Sequence, residues 1–226
     1  MKTTHTIIEQ TIRQVRLLGI GLAAIAMGSG AFAASGIFGA HIGITQGGSQ
    51  TIAGGITGTT GDTRDEFQSP FILSIADLNL GDSLTISAAE VLTFKDGSSD
   101  VTGAELNYRV YASGSTAGSF TAVSIGWSSN RPFTDLLGNN YGGSGGGDQS
   151  WGNISSTPDI AAGLSAGSYV LEVFWKVTSS DGDHHVNNNG NNYTASFSVV
   201  PEPSTFALLA GLAGLAAIAL RRRKAL

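Results

Sequence analysis

Between residues 34 and 200 the apolar positions recur with a period of two, the spacing of strands that are buried on one side and wet on the other. Residues 104–111 (AELNYRVY) show it most clearly. Ala104, Leu106, Tyr108 and Val110 share one face, and Glu105, Asn107 and Arg109 share the other. Residues 119–127 (SFTAVSIGW) repeat the alternation through Val123, Ile125 and Trp127, and the Gly-Ser-Thr-Ala-Gly run at 114–118 predicts that these two strands are neighbours. Residues 169–178 set Tyr169, Leu171, Val173, Trp175 and Val177 inward and Glu172, Phe174 and Lys176 outward. Tyr193, Ala195, Phe197 and Val199 then mark a last strand. Trp127 and Trp175 both fall on core positions.

Other stretches read less cleanly. Residues 35–61 carry no Asp, Glu, Lys or Arg and predict two short strands and a loop. Residues 70–75 predict a strand with Pro70 at its start, where a missing N–H does least harm. Residues 83–94 alternate at Leu84 and Ile86 and then slip phase near Ala88 and Ala89, which predicts a bulge. Residues 95–100 (KDGSSD) read as a hairpin turn, with Asp-Gly supplying the positive φ of a tight reversal. Residues 128–147, ending in a glycine run, read as a flexible surface loop, and residues 179–192 as a polar hairpin tip. About seven to ten short strands without an intervening helical period predict an all-β class. The expected form is a single antiparallel β-sandwich, immunoglobulin-like or jelly-roll-like.

The two ends break the pattern. Residues 1–16 carry Lys2, Arg13 and Arg16, residues 17–28 are apolar, and Ala31-Phe32-Ala33 follows. That order is a signal peptide over residues 1–33, with cleavage set by Ala31 and Ala33 and the mature chain starting at Ala34. The alternative, an uncleaved anchor, is weakened by Gly19, Gly21 and Gly28. At the other end, Val200-Pro201-Glu202-Pro203-Ser204 precedes sixteen uncharged residues at 205–220. As a helix these span about 24 Å at 1.5 Å per residue, a little short for a bilayer core of about 30 Å. Arg221, Arg222, Arg223 and Lys224 act as a basic stop-transfer cluster and keep the end in the cytoplasm by the positive-inside rule. The domain of residues 34–200 then faces outward, flanked by the signal peptide and a C-terminal transmembrane helix, with a tail at 221–226.

Composition sharpens this division. Residues 34–200 hold fifteen acidic and five basic residues, a net charge of −10, where the whole chain has −5. An acidic field repels phosphate backbones, so no nucleic-acid partner is expected. Cysteine is absent, which removes disulfides, thiolate metal sites and cysteine nucleophiles. Glycine makes up 26 of these 167 residues, roughly twice its usual share of about 7%, in keeping with many turns between short strands.

Candidate chemistry in the domain is sparse. Asp181 and Asp183, alternate carboxylates at a turn, are candidate Ca²⁺ ligands, although the spacing lacks the downstream Glu of an EF-hand loop and a plain polar hairpin turn is the preferred account of them. No other cofactor is expected. Trp151 and Phe174 are candidate glycan contacts: aromatic faces stack on sugar rings, and Phe174 shares the outer face with charged residues. No Gly-x-Ser-x-Gly elbow, His-Glu-x-x-His helix or phosphate-binding Lys-Ser/Thr pair is present. The chain is therefore not expected to be an enzyme.

Two resemblances add to this reading. Leu164, Gly167 and Tyr169 resemble the tyrosine corner of immunoglobulin-like sandwiches, with Leu171 standing where that family often has cysteine. Val-Pro-Glu-Pro-Ser, an apolar helix and an arginine cluster together resemble the PEP-CTERM sorting signal of Gram-negative bacteria, here over residues 201–226 with its motif at 200–204. The resemblance implies an exosortase as processing partner, cleavage near Pro201-Glu202-Pro203, and an inner-membrane intermediate. It also implies delivery to the envelope, outer surface or extracellular matrix, where such cargo is associated with exopolysaccharide and biofilm. A structural or adhesive role is expected, with a carbohydrate-binding module as the alternative and a secreted hydrolase as a third.

Overall fold

The computed structural model describes residues 34–57, 67, 69–143, 147–202 and 207–216. Twelve strands follow in order: β1 (Ser35–Gln46), β2 (Ser49–Ile56), β3 (Leu78–Asn79), β4 (Leu84–Lys95), β5 (Val101–Ala112), β6 (Thr121–Asn130), β7 (Phe133–Thr134), β8 (Asn140–Tyr141), β9 (Gln149–Asn153), β10 (Gly167–Ser179), β11 (Gly182–Val186) and β12 (Tyr193–Val200). Ten of them form one sheet in the order β2-β1-β4-β9-β6-β5-β10-β12-β3, with β11 also on β10, and β7 and β8 pair separately. The unit that contains all of these strands begins at Ala34.

The sheet curls because β6 changes partner along its length. Thr121–Ile125 pair with β5, and Gly126–Asn130 pair with β9. The first half (β2, β1, β4, β9) and the second half (β5, β10, β12) thereby bring their inner faces onto one core. Ile42, Ile44, Ile86 and Val91 come from the first half, and Leu106, Leu171, Trp175 and Val177 from the second. The Trp175 indole N–H donates to the His41 carbonyl at 3.3 Å, which ties the halves directly. Burying side chains of this size stabilises the fold by roughly 1.5–3 kcal/mol each.

Alternation placed β4, β5, β6, β10 and β12 correctly, and the β4 bulge falls at Ser87, where the register slips between Gly43 and Ile44 of β1. Three local expectations fail, and a fourth, the hairpin at 179–192, holds only in part. Residues 95–100 do not close a hairpin, because β4 and β5 lie in opposite halves and the turn is a crossover. Residues 70–75 alternate, with Phe71, Leu73 and Ile75 turned inward and Ile72 74% exposed, yet they join no ladder. Residues 179–192 contain β11, whose buried Val186 lies opposite Trp175. Trp127 is 49% exposed: register shifts on both sides of it, where β6 passes from one half to the other, rotate it out of phase with Val123 and Ile125.

The largest departure concerns residues 128–147. Much of that stretch forms the β7–β8 hairpin and lies against the outer face of the first half. A second, smaller core results. Phe38, Leu92 and Phe94 pack there with Ile56, Phe133 and Tyr141. Phe38 reaches it because an extra residue in β1 at the Ile37/Gly39 slip turns its side chain outward.

Candidate functional site: a processing signal at the end of the last strand

β12 carries the chain out of the domain. Tyr193, Ala195, Phe197 and Val199 are buried, and Thr194 and Ser196 face solvent. β3 runs parallel to its end, with Val199 opposite Leu78 and Val200 opposite Asn79, and the Leu80 N–H donates to the Val200 carbonyl at 2.8 Å. Pro201 has no N–H to continue a ladder. The motif therefore leaves the sheet at once, with Pro201 half-buried and Glu202 exposed. Pro203, Ser204 and the cluster Arg221, Arg222, Arg223 and Lys224 lie outside the described residues, as do Ala31 and Ala33. Residues 207–216 are helical, and Leu208, Leu209, Leu212 and Leu215 are all exposed. Among the described residues no helix is long and apolar enough to cross a membrane.

Ala34 is exposed, and its carbonyl accepts bonds from the Asp96 N–H at 2.7 Å and the Ser99 hydroxyl at 2.6 Å. One residue on, the Ser35 N–H and hydroxyl both donate to Asp181, the N–H at 3.0 Å. The Ser179 hydroxyl adds a third bond at 2.6 Å, and hydrogen bonds from Ser179 and then Ser35 hold the Asp181 carboxyl well below the usual range. Asp183 instead pairs with Lys176 at 3.0 Å, and that bond lowers its pKa. The two candidate Ca²⁺ ligands thus serve different partners, and no metal-ligating group of three appears among the described residues.

His184 lies in the same cluster, with Nε2 3.3 Å from both Ser35 Oγ and Ser179 Oγ and 3.8 Å from Asp181. Serines and carboxylate converge on one ring nitrogen. A nucleophile–base relay needs the orienting carboxylate on the other nitrogen.

The candidate glycan contacts are not brought together. Trp151 is only 8% exposed, lies in the main core opposite Val91, and donates its indole N–H to Thr93 at 3.2 Å, so it offers no ring face to a ligand. Period-two reasoning missed this because β9 is five residues long and framed by glycines and serines. Phe174 is half-buried on the outer face of β10, edge-on to Phe120 at 4.9 Å. Beside it Arg109 grips Glu172 with two bonds of 2.9 Å, and its guanidinium lies 4.1 Å over the Phe120 ring.

A buried polar network on the opposite outer face had no signal in the sequence. Glu90 of β4 accepts bonds from His41 Nδ1 at 3.0 Å, the Ser150 hydroxyl at 2.9 Å and the Leu136 N–H at 2.9 Å. Asp135 accepts from the Leu137 and Asn139 amides at 3.0 and 2.8 Å and stands 3.9 Å from His41 Nε2. Burial, then the Asp135 carboxylate, push the Tyr141 phenol up to about 12. Four elements distant in sequence (β1, β4, β9 and the β7–β8 hairpin) supply these groups, so no spacing rule connects them.

Residues 199–224 match the PEP-CTERM protein-sorting motif. No curated protein matches the chain. The motif marks the chain as a substrate of exosortase processing and implies export to the cell envelope or surface.

Proposed function

We propose that residues 34–200 form a display domain with a structural or adhesive role in the envelope or its exopolysaccharide matrix. In this reading residues 1–33 act as a signal peptide and residues 205–220 as a transient transmembrane helix. The exosortase then cuts at the Pro-Glu-Pro motif. The curled sheet serves as a sandwich scaffold, and the domain acts by contact rather than turnover. The observation that carries the reading is the position of the motif: the ladder ends at Val200, and Glu202 is exposed directly beyond it. A protease that reads an extended peptide needs such an exit. The acidic, cysteine-free composition suits a soluble extracellular domain.

A carbohydrate-binding role has its own support in the exposed ring of Trp127, whose carbonyl is held by the Asn153 amide at 2.7 Å. Fractionation of host cells that make or lack exopolysaccharide tests the matrix role. The protein is expected to travel with the polysaccharide and to pass into the medium when none is made. An unchanged distribution contradicts the role. Sugar binding that Trp127→Ala abolishes favours the second reading, and turnover of a polysaccharide by the pure protein refutes both.

A further inference from the structure

The edges of the curled sheet differ in how they are protected. β11 is charged, with Asp183 paired to Lys176 and His185 also opposite Lys176. The free side of β12 is stopped at Val199 and Val200 by β3. Among the described residues β2 has neither protection. It is the terminal strand of the first half, eight residues long (SQTIAGGI), without a charge or a proline. Edge strands usually carry such breakers, because an open row of N–H and C=O groups is a template for another strand.

The parity of β2 follows from its turn. Gly47 and Gly48, at φ 56° and 83°, form a two-residue reversal, which makes Gln46 and Ser49 a hydrogen-bonded pair. Ser49, Thr51, Ala53 and Gly55 then direct their backbone groups at β1. The Thr57 N–H keeps that phase by donating to the Phe38 carbonyl at 2.9 Å. Gln50, Ile52, Gly54 and Ile56 direct theirs outward, and no described strand pairs with them.

We propose that β2 is a self-association edge on which two copies of this chain pair antiparallel, β2 to β2, about a two-fold axis. With Ala53 on the axis, Gln50 lies opposite Ile56 of the other copy and Ile52 opposite its Gly54. All the outward groups are then used, giving about eight hydrogen bonds. Electrostatics favours this edge over the other sheet edges. The domain carries a net −10, and residues 35–61 contribute no Asp, Glu, Lys or Arg, whereas β11 carries Asp183 and β3 lies between Asp77 and Asp82, so two acidic copies meet at β2 with no carboxylate on the paired strands. A self-complementary contact closes on itself and yields a dimer rather than a fibre. The inference stands on the edge alone and holds whether or not the domain serves in a matrix.

The full chain in detergent provides the test, with mass measured by light scattering across a dilution series. Ile52→Pro removes an outward N–H and leaves the bonds to β1 intact, and Gln50→Glu adds a negative charge at the edge of an already acidic copy. Wild type is expected to be dimeric, with the dimer weakened about tenfold or more in both variants: Ile52→Pro removes two of the paired hydrogen bonds per dimer, and Gln50→Glu adds like-charge repulsion. At a concentration low enough for wild type to be monomeric, the urea midpoint is expected to be unchanged. If Ile52→Pro fails to fold, Gln50→Glu decides. A monomeric wild type, a dimer that survives the variants, or masses above a dimer that Ile52→Pro abolishes each overturns the two-fold pairing. Protection of the outward amides from hydrogen exchange in a monomer also overturns it, because the chain then covers its own edge.

Discussion

On the outer face of the first half, the β7–β8 hairpin covers Glu90 and surrounds it with donors from β1, β9 and the hairpin backbone. On the outer face of the second half, the described partners of Glu172 are side chains, those of Arg109, Asn192 and Tyr111. Both carboxylates are buried and both have several partners. Backbone cover fixes its donors in place, so removing the acceptor strands them away from water. Side-chain cover can move aside and let water in. The same residue type is therefore critical on one face and adjustable on the other.

Glu90→Ala orphans His41 Nδ1, the Ser150 hydroxyl and the Leu136 N–H together. A loss of about 3–5 kcal/mol in urea unfolding is expected, the range for breaking a buried hydrogen-bonded charge. A loss below about 1 kcal/mol would show that the hairpin is not anchored through Glu90. Arg109→Met probes the other face. Its guanidinium is partly exposed, so about 1–2 kcal/mol is expected, shrinking further in high salt. Equal losses at the two sites would remove the distinction.

The smallest effect concerns acid. The hydroxyls of Ser179 and Ser35 hold the folded Asp181 carboxyl below its ordinary value. Its stabilisation is therefore fully present above the ordinary carboxylate range and is lost as pH falls through that range toward the folded value. Asp181→Asn is expected to unfold slightly more easily at neutral pH, and its difference from wild type should shrink below about pH 3. A difference that is constant with pH would mean that the charge does not matter there.

The contrast between the faces also marks what a sequence can reveal. Period-two alternation identifies a strand with one wet face: it sets Leu106, Leu171 and Phe197 inward and Phe174 outward, and the structure has them there. It fails where a second layer covers the outer face, since His41 and Glu90 then look like solvent positions although both are buried. It fails again where a strand changes partners, which inverted the expectation for Trp127, and where a strand is too short to show a period, which misread Trp151. The tyrosine corner was legible because it is local: the Tyr169 hydroxyl donates to the Ser165 carbonyl at 2.9 Å, four residues upstream. The sorting signal was legible for the same reason, being one contiguous run at residues 199–224.

Processing of the chain at that run is decided by the intact mass of the protein recovered from its host, with and without the exosortase. With the enzyme present, a mature chain that starts at Ala34 and ends near Pro201–Pro203 is expected, and without it a chain that keeps residues 207–216. A single mass in both strains that still includes the helix rules processing out.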